Sequence, residues 1–158
     1  MKKLIVSMLA VIMLFACAVS FASCSGQIQE GRYRYAKCDA DWVTEINGSQ
    51  KKKLAEVSGY ESKQDYIDAT TENVSEAFLG SSFAFESDGS GEFTIANQKE
   101  SFTWEQDGKE IDITFEGKEA AIIFENTDFE ISSGKLIAKV HDTEYNYALT
   151  IILVYELD

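Results

Sequence analysis

Residues able to carry bond-making chemistry are few in this chain of 158 residues. His141 is the single histidine, so a relay of nucleophile, base and orienting acid would have to be built on it, with Cys38 or a serine as the nucleophile. Its position near a strand end beside Asp142 reads instead as a surface residue. One histidine and one free thiol are too few for zinc. Ser49-x-x-Lys52 and Ser132-x-x-Lys135 match a serine-lysine spacing, but the first falls in the lysine run 51–53 and the second at a turn. Asp88-Gly-Ser-Gly-Glu92 offers oxygen ligands without the ~12-residue pattern of a calcium loop, and a hairpin explains it. No catalytic residue, metal or cofactor is expected, and the chain reads as a binding protein rather than an enzyme.

The strongest pattern lies in residues 81–116. Phe83 and Phe85, Phe93 and Ile95, Phe102 and Trp104, and Ile111, Ile113 and Phe115 recur at a spacing of two, with acidic residues between them. That alternation predicts antiparallel strands with one buried face. Asp88-Gly89 and Asp107-Gly108 are hairpin signals, since a two-residue turn that follows strand twist needs positive φ. The inward faces are therefore aromatic. Phe83, Phe85, Phe93 and Phe102, with Trp104, Ile113, Phe115 and Tyr147, are the candidate lining of a cavity for a small apolar or amphiphilic ligand. The same residues could equally fill a narrow interior, because eight strands enclose room for side chains or one small ligand.

The N-terminus carries its own message. Met1-Lys2-Lys3 precedes an apolar run from Leu4 to Ala22 and the small residues Ser23-Cys24-Ser25-Gly26, the pattern of an export signal over 1–23. Phe21-Ala22-Ser23-Cys24 resembles the lipobox of bacterial lipoproteins, which implies lipid attachment at Cys24, tethering to a membrane of the cell envelope and a location outside the cytoplasm. Leu14-Phe15-Ala16-Cys17 is a second candidate that would leave AVSFAS on the mature chain. Ordinary cleavage after Ala22, or retention of the run as a membrane span, are the alternatives. With Cys24 lipidated, Cys38 is the lone thiol, a small buried apolar residue; without lipid, a Cys24 to Cys38 disulfide becomes available.

The remainder suits one domain with one core. Residues 24–30 form a short tether and 31–158 the folded domain. The whole chain has 14 basic against 27 acidic residues, a net −13, and loses Lys2 and Lys3 with the leader. Phosphate-rich partners would be repelled, which excludes nucleic acid. A monomer is expected.

Along the chain, Gly31 to Cys38 alternates as strand one, with Tyr33 and Tyr35 on one face and Arg32 and Arg34, the only arginines, on the other. Trp42, Val43 and Ile46 extend it irregularly. Ser49 to Val57 predicts a short helix. Ser62 as N-cap, with Ile67, Thr70, Val74, Ala77 and Phe78 at helical spacing, predicts a helix over 62–79 with an acidic outer face. After Phe115, Ala120 to Phe124, Phe129 to Ile131, Leu136 to Val140 and Tyr145 to Leu157 read as further strands. Eight to nine strands avoid exposed edges most simply by closing into an up-and-down barrel, with one or two helices after the first strand.

Gly31-Arg32-Tyr33-Arg34, followed by Phe83-x-Phe85-x-x-Asp88-Gly89-Ser90-Gly91 and Phe102-x-Trp104-x-x-Asp107-Gly108-x-x-Ile111, resembles the lipocalin-like domains of exported bacterial lipoproteins. The resemblance implies that Gly31 and Tyr33 close the barrel base, Tyr33 standing where the family has tryptophan. It departs from the family in lacking a C-terminal arginine to pack there. With the tyrosines at the base the arginines point outward, and an interior ligand should be uncharged or weakly held. The rival function is recognition of a basic protein, such as a lysozyme, by the acidic exterior.

Overall fold

The computed structural model describes residues 26–42, 59, 63–142 and 149–158. They form an all-β closed barrel of eight antiparallel strands in sequential order. The strands are β1 (Gly31–Trp42), β2 (Ser82–Phe85), β3 (Ser90–Ile95), β4 (Gln98–Asp107), β5 (Glu110–Phe115), β6 (Thr127–Ser132), β7 (Lys135–Asp142) and β8 (Leu149–Leu157). Helix α1 (Lys63–Phe78) joins β1 to β2, and the short α2 (Lys118–Ile123) joins β5 to β6. The expected leader, the 49–57 helix, Ser62, Val43, Ile46 and Tyr147 lie outside the described residues.

Closure comes from β1, whose first half pairs with β2 and whose full length pairs with β8. A register shift between Tyr35 and Lys37 lets Tyr33 and Tyr35 face the interior and then brings Cys38, two residues beyond Ala36, onto the same face opposite Leu153. Arg32 and Arg34 point outward as the alternation predicts. Arg32 donates to Ser82 Oγ at 2.9 Å and Arg34 to the Asp158 carboxylate at 2.7 Å.

The turns are made in different ways. Asp107 pairs with Glu110 across a two-residue link in which Gly108 has φ 62°. The Asp88 loop is longer than a two-residue turn, and its carboxylate accepts from the Ser90 amide at 2.9 Å. Ala96 and Asn97, both at positive φ, form a tight β3–β4 turn that no glycine announces. The region 118–123 is a helix, not the strand predicted from Ala120 to Phe124. A short apolar run does not distinguish the two. Here Ala120 and Phe124, four apart, both bury one side, while Ile122 is left outside. The Glu100 carboxylate on β4 accepts the Ala120 amide at 3.1 Å, and a Cβ at Gly117 would collide with that same side chain.

Helix α1 lies across one end of the barrel. Tyr35 Oη and Ser75 Oγ hydrogen-bond at 2.8 Å, and the Phe78 ring stands 6.5 Å from Tyr35 and 6.0 Å from Phe124. No residue of α1 with a described side chain is fully buried. Its Val74 and Phe78 side chains are partly buried against the core.

Candidate functional site

Three places could serve a function: the interior, the base and the exterior at the β5–β6 seam. The strand alternation directs Phe83, Phe85, Phe93 and Phe102 inward, and all four are fully buried. Trp104, Ile113 and Phe115 are partly buried against the same core, and Tyr147 is outside the described residues. Phe83 is the hub. Its ring centre lies 4.6 Å from that of Phe93, 5.0 Å from Tyr155, 5.6 Å from Phe124, 5.7 Å from Phe129 and 5.8 Å from Phe102. These spacings, mostly edge-to-face or tilted, are those of aromatic rings in mutual contact. The candidate lining residues are thus packed on one another from wall to wall at this level.

Sequence reading did not single out Phe124, Phe129 and Tyr155 as interior rings. Phe124 was assigned to a strand, and Tyr155 sits in a run apolar on both faces where alternation gives no direction. Phe124 enters from α2, stacks on Phe115 at 5.3 Å and reaches Phe93 at 5.1 Å. Tyr155 keeps its hydroxyl within 3.3 Å of Ser81 Oγ, and burial holds the phenol far above its ordinary pKa. Cys38 is also inward, and burial raises its thiol to about 11, which leaves almost no thiolate at neutral pH.

Tyr33 sits at the base, buried and edge-on to Phe85 at 5.7 Å. Its hydroxyl accepts the Gln29 amide at 2.9 Å. The Ile28 amide donates to Gln106 Oε1 at 2.8 Å, and Gln106 Nε2 donates to the Gly26 carbonyl at 2.6 Å. The segment expected to be a tether is therefore fastened across the base from Gly26 onward. Gly31 belongs to the same closure: with φ 143°, it has Leu157 Cδ1 only 2.9 Å from where a Cβ would stand.

The exterior also offers a concavity. A cleft of about 730 Å³ runs along the seam between β5 and β6, with Lys109, Glu110, Asp112, Glu125, Asp128, Glu130 and Lys139 among its lining. Glu130 takes both lysines, Lys139 at 2.9 Å and Lys109 at 3.2 Å, and these bonds pull its pKa down against a smaller opposing effect of burial. Glu110, Asp112 and Glu125 have no ion-pair partner among the described residues. The cleft keeps a surplus of negative charge.

His141 lies beside this cleft. Its Nε2 is 3.0 Å from Asp128 Oδ2 and its Nδ1 3.2 Å from Thr150 Oγ1, so the acid-histidine-hydroxyl order is present with a threonine that sequence spacing does not connect to it. Thr150 is 6% exposed. The arrangement ties β6, β7 and β8 together across the outer wall. Among the described residues no group of three His, Cys, Asp or Glu side chains could hold a metal ion.

No known family profile matches the chain. No curated protein matches it. Among solved structures, the crystal structure of a DUF4847 family protein from Bacteroides vulgatus ATCC 8482 is similar, with a TM-score of 0.45 and 16% identity over 82% of this chain and 94% of that one.

Proposed function

We propose that this barrel is a non-catalytic module of the lipocalin-like lipoprotein kind, tethered outside the cytoplasm to a membrane of the cell envelope by lipid at Cys24, that recognises a basic protein through its acidic exterior. The observation that carries this reading is the Phe83 hub, whose ring neighbours occupy the interior where an apolar ligand would sit. An interior filled by its own side chains leaves the outer surface as the part free to interact. That surface has unpaired carboxylates along a cleft, and such a field accelerates and orients encounter with a cationic partner. Gly26 to Gln29, the first described residues after Cys24 in the sequence, are fastened across the base.

The test is a binding isotherm with a lysozyme as a basic probe, at low salt and at about 0.3 M salt, where screening shortens the reach of exposed charges to a few ångströms. Saturable binding that weakens with salt is expected. A saturable change in tryptophan fluorescence with fatty acids or neutral lipophiles, indifferent to salt, would instead favour the interior-ligand reading. The anchoring is tested separately by mass spectrometry of the mature N-terminus. A mature chain beginning at Ser23 would remove the lipid.

A further inference from the structure

The β5–β6 seam is acidic, and it is also an unfinished sheet edge. The ladder between these strands consists of the pairs Glu110↔Glu130 and Ile111↔Phe129 and stops there. On β5, Glu116 N–H donates to Ser101 on β4, while the Lys109 carbonyl accepts from Ile131 on β6. Alternation along the strand therefore turns the N–H and C=O of Ile113 and Phe115 toward β6. On the other side the Asn126 carbonyl accepts from His141 on β7, so the backbone of Thr127 turns toward β5. Among the described residues these facing groups have no ladder partner, because α2 diverts the chain between them. Thr127 Oγ1 is buried with no hydrogen-bond partner among the described residues either.

We infer that the open seam is a strand-addition site, at which a short extended segment of a basic partner protein pairs with the free edge of β5 at Ile113 and Phe115 while its Lys or Arg side chains meet Asp112, Glu125 and Asp128. Unpaired edges are templates for another strand unless they are covered or charged. Here the edge lies inside a cleft of about 730 Å³, and the charge around it selects the sign of what enters. An acidic segment is repelled, and a neutral one gains only the backbone bonds. This inference rests on the acidic-exterior reading and gives it an address.

The probe is a capped peptide of about five residues alternating lysine and valine, long enough to span the free edge. It is added to the isotopically labelled full-length chain in detergent. Expected are saturable shifts and slowed exchange of the Ile113, Phe115 and Thr127 amides, with binding weakened about tenfold by the exposed pair Asp112→Lys and Glu125→Lys or by N-methylating the peptide's central amides. Binding that survives N-methylation, or that leaves these amides unprotected, overturns the strand-addition site while the acidic-exterior reading stands. No binding of either peptide or lysozyme at low salt overturns both. Concentration-dependent protection of the same amides without peptide overturns it in favour of a second copy of this chain.

Discussion

Strand β5 has two edges, and they are finished by different means. Toward β4 it makes six register pairs, from Phe102↔Phe115 to Asp107↔Glu110. Toward β6 it makes two, and beyond them the interior side is packed by the Phe124 ring, which enters from α2 and stacks on Phe115. One edge is sealed by a backbone ladder that nearly any sequence can form. The other depends on one aromatic residue reaching its neighbours. A barrel can thus remain filled where its sheet is incomplete, and the backbone left unpaired at such a place is available to something else.

The largest effects should come from testing whether that plug is core or ornament. Phe83→Ala removes the hub of the laddered part, and Phe124→Ala removes the plug, which is 5% exposed. Each is expected to cost about 3–5 kcal/mol in urea unfolding, the range for a buried aromatic truncated to alanine. Near equality is the point of the comparison. If Phe124→Ala cost less than about 1 kcal/mol, α2 would be a surface feature and the seam would be closed in some other way.

Next is a glycine on the laddered side. In β3, a Cβ at Gly91 would run into the Phe102 ring and the Ala84 carbonyl, so Gly91→Ala should overpack the wall by about 1–3 kcal/mol. Phe102→Leu added to it should recover part of that loss, because the clash is with a ring edge. Strict additivity of the two changes would mean that the glycine is needed for another reason.

The same contrast explains what could be read from the sequence. The laddered side was legible because Phe83, Phe93, Phe102 and Trp104 alternate with polar residues and the strands are joined by short turns, so face and order follow directly from spacing. Helix α1 was legible from its 3.6-residue period. The seam was not. Residues 118–124 hold two apolar pairs in a stretch too short to reveal a period, and only the diversion of β5 from β6 settles that Ala120 and Phe124 share a face. Likewise the pairings Glu130 with Lys109 and Lys139, and His141 with Asp128 and Thr150, depend on register between strands, which residue types alone do not give. The turn at Ala96-Asn97 carries no glycine and so gave no signal.

At the rim, a side-chain hydrogen bond between Tyr35 and Ser75 links α1 to β1. Tyr35→Phe should cost about 0.5–1.5 kcal/mol, the usual net worth of such a bond. It should also speed hydrogen exchange in α1 more than in β1. Equal acceleration in both would mean that the helix opens only with the barrel.

The smallest expected effect concerns the paired end of the seam, where the Glu130 carboxylate joins Lys109, at the start of β5, to Lys139 on β7. The ladder is shortest here, so a three-membered ion network adds to what two backbone pairs provide. Lys109 is 65% exposed and Lys139 is half-buried, and solvent screening keeps the contribution of such a network small. Glu130→Gln should therefore destabilise by less than about 1 kcal/mol at neutral pH. The pH dependence has a definite sign. The folded protein holds Glu130 below its ordinary value of 4.5, so its stabilisation is fully present above that pH and is lost as pH falls through the lower folded value. The stability difference between wild type and Glu130→Gln should accordingly shrink on acidification below about 4.5. A difference that stays constant into acid would assign the effect to packing of the side chain, and the seam would then rest on Phe124 and its two ladder pairs without help from charge.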